Sequence, residues 1–135
     1  MIEYTNSLEN INEEMLSGFF VGWPNPPSQS AHIEILKGSY CVWLAMDKRR
    51  NKVAGFVYAI SDGVLSAYIP LLEVLPEYQK SGIGKELVAK MLDSLKIFYM
   101  VDLLCDKELQ NYYAKFGMQE ATGSFLRNYD RQSCE

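Results

Sequence analysis

Histidine is almost missing from this sequence. His32 stands alone among 135 residues, which excludes metal sites built from several imidazoles and leaves any histidine chemistry to one side chain. Cysteine is scarce as well. Cys41, Cys105 and Cys134 are odd in number, far apart and without a Cys-x-x-Cys pair, so neither a disulfide framework nor a zinc knuckle is indicated and a reducing cytoplasm is the expected compartment. No apolar run approaches the ~20 residues of a membrane span. The opening Met1-Ile2-Glu3-Tyr4 leads into polar residues rather than a signal-peptide core, so the expectation is a soluble, unexported protein with no membrane partner. Basic charge is in deficit: 13 Lys and Arg against 17 Asp and Glu give a net charge of -4. That is the wrong sign for a surface that tracks phosphates, and nucleic acid is not an expected partner. Repeats and low-complexity tracts are missing too, and the proline-rich Trp23-Pro24-Asn25-Pro26-Pro27 is too short to join two domains.

What is present suffices for a core. Apolar side chains make up 48% of the chain and charged ones 22%, enough for one compact domain over residues 1–135. After a short first strand, Asn10 followed by Glu13 offers a capping pair for a helix with the apolar stripe Ile11, Met15 and Phe19. A second short helix is expected to begin at Ser28 or Ser30, to carry Ile33 and Leu36 inward, and to stop at a left-handed Gly38. Ser39 to Asp47 and Lys52 to Ser61 are rich in Val, Ile, Tyr and Trp, and the polar Lys48-Arg49-Arg50-Asn51 between them reads as a hairpin turn. Asp62-Gly63 turns the chain into a third extended segment, Leu65 to Leu75. Pro70 in its middle cannot donate to a ladder, so this strand should bulge or lie at an edge there, with free backbone. From Ile83 onward, Leu87, Val88, Met91, Leu92 and Leu95 form one helix face. A buried strand from Ile97 to Leu104, a short helix capped by Asp106 and ended by Gly117, and a final strand from Gly123 to Asn128 follow. The fold class is α+β, a mixed, mostly antiparallel central sheet flanked by helices in the order β-α-α-β-β-β-α-β-α-β.

Chemistry concentrates where the third extended segment runs through Pro76-Glu77-Tyr78-Gln79-Lys80-Ser81-Gly82-Ile83-Gly84-Lys85 into the long helix. Gly82 and Gly84 remove side chains at the helix mouth, where unpaired N–H groups and the positive end of the helix dipole point outward. A phosphate can approach closely there, and Lys80 and Lys85 flank the turn in an otherwise acidic chain. A Walker-type loop needs glycine where Gln79 stands and Ser or Thr where Glu86 stands. The dinucleotide fingerprint needs a small residue where Leu87 stands, after a parallel rather than an antiparallel strand.

Gln79-x-x-Gly82-x-Gly84, preceded by a strand ending Val74-x-Pro76 and followed by an amphipathic helix, resembles the glycine turn of the GNAT superfamily of acetyl-CoA-dependent N-acetyltransferases. Tyr112-Tyr113-Ala114-Lys115-Phe116-Gly117-Met118 is similar to that family's aromatic-Tyr-x-x-x-Gly-Phe segment, in the expected order and distance. The departures are Asp106 for a common Asn, Leu109 for Ala and Met118 for Phe. The resemblance covers nearly the whole chain and implies acetyl-CoA as co-substrate, with no metal. It implies that the coenzyme A pyrophosphate lies on the backbone N–H groups of Gln79, Lys80, Ser81, Gly82, Ile83, Gly84 and Lys85. The pantetheine arm is then expected along free backbone from Leu72 to Val74, like an added strand. The implied acceptor is a primary amine of a small molecule or protein, in a cleft covered by the first helices, with Phe19, Phe20 and Trp23 as wall or core.

Direct transfer from thioester to amine in a ternary complex needs a base, an oxyanion donor and an acid. Backbone N–H near Leu72 or Val74 is the expected oxyanion donor. Tyr113 matches the family's tyrosine and is expected to protonate the departing thiolate, with Tyr112 beside it read as a core side chain. Glu73 is the candidate base, although the bulge hides which face it occupies and a solvated or ion-paired carboxylate is the competing reading. His32 is the second candidate base. Cys105 has only Lys107 nearby, which gives an acyl-cysteine step no motive. Two other expectations stand beside these: a non-catalytic acyl-CoA-binding or regulatory module that keeps the same turn, and a homodimer paired through an edge from Phe125 to Tyr129.

Overall fold

In a computed structural model that describes all residues, Met1–Glu135, five strands form one sheet in sequential order. They are β1 (Ile2–Thr5), β2 (Cys41–Asp47), β3 (Lys52–Ser61), β4 (Ser66–Val74) and β5 (Met100–Asp102). The first four pair antiparallel, and β5 joins β4 in parallel. Helix α1 (Gln29–Lys37) lies between β1 and β2, α2 (Ile83–Ser94) between β4 and β5, and α3 (Gln110–Ala114) follows β5. The expected α+β class with a mixed, mostly antiparallel sheet is what forms.

β3 runs through the middle of the sheet and is buried on both faces, which is why its sequence is almost continuously apolar instead of alternating. On one face Phe56 and Tyr58 join Leu16, Phe19, Phe20, Ile33 and Leu36 from the N-terminal segment and α1. On the other, Val57 and Ala59 join Ile83, Leu87, Met91 and Leu95 along the inner stripe of α2. Each fully buried leucine of that stripe contributes about 2 kcal/mol by leaving water. Gly55 sets how closely α2 approaches the sheet, because a methyl group there would lie 3.2 Å from both Leu87 Cδ1 and the Glu73 carbonyl oxygen.

Several elements depart from the sequence reading. The expected first helix is one 3-10 turn, Glu13–Leu16: extended Ser17 and positive φ at Gly18 and Phe20 end it, and the Asn12 side chain caps it instead of Asn10, which holds φ +66° rather than the extended backbone of a cap. α1 begins after Ser28, whose hydroxyl accepts the Ala31 N–H at 3.0 Å, but Gly38 ends it at φ -80°, not in a left-handed turn. Of the apolar run Ile97 to Leu104 only Met100–Asp102 pairs, and Ile97 and Tyr99 are exposed, because β5 is the outermost strand and pairs only with Ser66, Ala67 and Tyr68. Asp106 occupies the cap position before the turn leading into α3 without a side-chain bond. Gly123 to Asn128 forms no strand: Phe125 and Leu126 are exposed, and the three-residue β5 offers little ladder for another chain segment to join.

Candidate active site

The site begins at the Pro70 bulge. Tyr58 pairs with Leu71 and Ile60 with Tyr68, so Ile69 and Pro70 together oppose Ala59. β5 reaches only as far as Tyr68, and from Pro70 to Val74 the outer side of β4 has no neighbouring strand. The Leu75 N–H bonds back to the Ala54 carbonyl at 2.9 Å. Alternation along the strand therefore turns the main-chain groups of Leu72 and Val74 outward, and the Val74 carbonyl accepts from Gln79 Nε2 at 3.0 Å on that side.

The glycine turn closes one end of this open edge. A 3-10 turn, Pro76–Tyr78, is held by the Tyr78 hydroxyl, which donates to Asp47. Asp47 also accepts the N–H groups of Arg49 at 3.0 Å and Arg50 at 3.3 Å, so one nearly buried carboxylate ties the β2–β3 hairpin to the turn. The Tyr78 hydroxyl bond holds the Asp47 carboxyl below the usual carboxylate range. Gly82 has φ +87°, and a methyl group built on it would meet no atom within 4 Å, so the space before the helix is open. The first bond of α2 runs from Glu86 N–H to the Gly82 carbonyl at 3.1 Å, leaving the N–H groups of Ile83, Gly84 and Lys85 without helical partners. The Ile83 side chain is buried in the α2 core, so this residue can act only through its backbone. Lys80 and Lys85 are exposed and form no ion pair. Free N–H groups, the helix dipole and two unpaired ammonium groups suit a phosphate or pyrophosphate. The open β4 edge beside them suits a chain that can exchange amide hydrogen bonds.

Glu73 lies between Leu72 and Val74, and its side chain leaves the opposite face of the sheet. One carboxylate oxygen accepts the Phe20 N–H at 2.9 Å and the other the Val21 N–H at 3.3 Å. The carboxylate is therefore neither ion-paired nor free in solvent. It fixes the loop between the 3-10 turn Glu13–Leu16 and α1 against the open edge of β4. Phe19 and Phe20 are buried in the core on this face, and Trp23 is partly exposed and tilted against Phe20.

The two tyrosines of α3 go to different places. A methyl group on Gly84 would lie 3.6 Å from the Tyr112 hydroxyl and 3.7 Å from Val74 Cγ2, so Tyr112 stands at the junction of glycine turn and open strand. Tyr113 lines a neighbouring cleft of about 890 Å³ with Tyr68, Leu103, Cys105, Phe116 and Met118. Burial, then Tyr112 and Cys105 nearby, push its phenol up to about 12, so it keeps its proton at neutral pH. His32 sits inside the core of α1, and burial pulls its pKa down to about 4.

Leu72, Val74 and Gln79 to Lys85 thus form one continuous surface, with Glu73 behind it. Tyr113 is not at the glycine turn, and His32 lies behind Phe56, at a ring separation of 4.4 Å. Sequence reasoning missed the Tyr112 hydroxyl and the N–H groups of Phe20 and Val21. Adjacent residues on a single helical turn differ by about 100° in direction, so Tyr112 and Tyr113 could not both enter one core. That spacing was the one signal available.

The model of the Acetyltransferase (GNAT) family matches residues 8–118. A crystal structure from Deinococcus radiodurans R1, assigned as an acetyltransferase, superposes with a TM-score of 0.94 at 42% identity, over 98% of this chain and 92% of that one. The uncharacterized N-acetyltransferase ycf52 of Pyropia yezoensis is 27% identical over 121 residues, 84% of this chain and 68% of that protein. The chloroplastic GCN5-related N-acetyltransferase 1 of Arabidopsis thaliana is 29% identical over 91 residues, 66% of this chain; the match spans only 46% of that relative's length.

Proposed function

Because the chain belongs to the Acetyltransferase (GNAT) family and so to the acyltransferases, we propose that it moves an acetyl group from acetyl-CoA to a primary amine of a small molecule or protein. The observation that carries this is the open outer edge of β4 running directly into the glycine turn. The residues fit the co-substrate. Gly82 leaves room for a phosphate, the N–H groups of Ile83, Gly84 and Lys85 face it, Lys80 and Lys85 offset its charge, and Gln79 and Ser81 shape the turn around it. The outward main-chain groups of Leu72 and Val74 hold the pantetheine amides and orient the acyl end.

Bound acetyl-CoA supplies an acetyl group activated as a thioester, and transfer is direct within a ternary complex. The chain's own groups divide the remaining work. An N–H of Leu72 or Val74 donates to the acyl oxygen as negative charge develops on it. Glu73 holds the acceptor side of the cleft in place and, through the lone pairs that Phe20 and Val21 leave free, takes the proton of the amine. Tyr113, kept neutral by burial, donates its hydroxyl proton toward the departing sulfur. No cluster of His, Cys, Asp and Glu suited to a metal is present, and none of these steps requires one.

No helix is long and apolar enough to cross a membrane. On its scattered free cysteines we place the protein in the cytoplasm, and on its acidic balance we assign it no nucleic-acid partner. A homodimer paired by sheet edges would use the outer edge of β1, since Phe125 to Tyr129 supplies no strand and β5 is only three residues long. The position of Tyr113 away from the glycine turn favours one other reading, a non-catalytic acyl-CoA-binding module. Thiol release from acetyl-CoA across an amine panel separates the two. Turnover with any amine, reduced in Tyr113→Phe, supports the enzyme. Coenzyme A binding without turnover on any amine supports the module.

A further inference from the structure

Residues 119 to 127 make no backbone-to-backbone hydrogen bond and belong to no helix or strand. In that stretch Phe125 and Leu126 are 67% and 76% exposed. Arg127 forms no ion pair, and its guanidinium lies 4.5 Å from the centre of the Phe125 ring, so these two side chains share one side of the segment. In extended backbone Leu126 then takes the other side. Free main-chain groups and large apolar side chains in water equip such a segment to join another surface.

The cleft of about 890 Å³ that Tyr113 lines wraps the outer edge of β5. On one side of that edge Val101 and Leu103 pack with the α2 cluster, and Leu92 and Phe116 complete an apolar wall. On the other, Met100 and Asp102 alternate out beside Tyr68, the β4 neighbour of Asp102. Asp102 and Glu120 are the only charged residues in the lining, and neither is ion-paired. The cleft therefore matches an extended segment with an apolar side chain on one face and a cation beside an aromatic ring on the other. Leu126 answers to the apolar wall, and Phe125 with Arg127 answers to Tyr68, Met100 and Asp102. The chain's own segment is led elsewhere. Residues 117 to 122 already line the cleft, a methyl group on Gly123 would lie 2.9 Å from Leu104 Cδ2, and the Asn25 N–H holds Gln132 Oε1 at 2.8 Å, drawing the tail toward the loop before α1.

We propose that the chain forms a two-fold dimer in which residues 123–128 of each copy lie in the β5 cleft of the other. Reciprocal insertion closes the assembly at two copies. Side chains rather than a ladder hold this contact, because β5 is three residues long, and it is separate from an edge pairing through β1. The inserted segment covers the open side of Tyr113, so the cleft around the proposed acid is complete only in the dimer. That consequence for turnover rests on the acetyltransferase reading, whereas the dimer itself does not.

Sedimentation equilibrium of the full chain at micromolar concentration is expected to give twice the 15.4 kDa of one copy. Leu126→Glu sets a carboxylate against the apolar wall and is expected to weaken the dimer about 30-fold or more. Arg127→Glu meets Asp102 and Glu120 and is expected to weaken it about 10-fold or more, and adding Asp102→Arg to the same chain is expected to restore part of that loss. Leu126 and Arg127 are exposed in the single chain, so both variants should keep the fold, which circular dichroism verifies. A wild type of 15.4 kDa at every concentration, a dimer that both variants leave intact, or a charge swap no tighter than Arg127→Glu alone overturns the proposal. Specific activity in thiol release is expected to rise with concentration as the dimer forms. A dimer with these mutational responses but no thiol release from any amine supports the proposal and contradicts only the acetyltransferase reading.

Discussion

The Glu73 carboxylate accepts the Phe20 N–H at 2.9 Å, joining the open edge of β4 to the loop that precedes α1. Phe20 holds φ +63°, a region that aromatic residues rarely adopt, so this contact helps offset a strained backbone. The bond connects two halves of the proposed site. On one side are the outward main-chain groups of Leu72 and Val74, and on the other is the loop that carries Phe20 and Val21.

Glu73→Gln keeps the size of the side chain but presents an amide nitrogen to one of the two N–H donors. The expected result is a fall in kcat of about 100-fold or more, with coenzyme A affinity unchanged. Steady-state thiol release and calorimetry read the two quantities separately. An unchanged kcat would remove Glu73 from the chemistry.

Tyr112 and Tyr113 should separate in the same assays. Tyr113→Phe is expected to lower kcat by roughly 10- to 100-fold and to leave coenzyme A affinity intact. Tyr112→Phe is expected to weaken coenzyme A binding by a few-fold, about the worth of one hydrogen bond, with little change in kcat at saturation. The reverse assignment of effects would exchange their roles.

His32 makes stability depend on pH in mild acid. Its pKa is lowered from 6.5 to about 4 in the folded chain, so between those values the unfolded chain binds a proton that the folded chain refuses. Stability therefore falls as pH drops from about 6.5 toward 4, by about 3 kcal/mol in total, and does not change on this account above 6.5. Urea unfolding of the wild type and His32→Phe at pH 7.5, 6 and 5 tests this. The wild type should lose more stability than the variant over that range, and parallel losses would contradict it.

The parts legible in the sequence are those whose signal is local. The α2 stripe of Leu87, Met91 and Leu95 follows from helical spacing, and the glycine turn follows from Gly82 and Gly84 at a helix mouth. Pro70 announced its bulge because a missing N–H is a property of the residue itself. The face of Glu73 was hidden by that same bulge, which resets the alternation, and only the loop at Phe20 and Val21 shows where it points. Gly123 to Asn128 has strand-like residues but no strand to join, and pairing is a property of two segments. The aromatic box around His32 draws on the N-terminal loop, α1 and β3, so no single window of sequence contains it.

The central claim is that the glycine turn and the open β4 edge hold coenzyme A. Calorimetric titration of acetyl-CoA and coenzyme A into the wild type and Gly82→Glu tests it most directly, with circular dichroism to establish that the variant is folded. Gly82 sits at φ +87° with open space beside it, so the substitution adds backbone strain and a carboxylate where phosphate is expected. The account predicts sub-millimolar binding of both ligands to the wild type and its loss in a folded Gly82→Glu. Equal binding by both proteins, or no binding by the wild type, would contradict it.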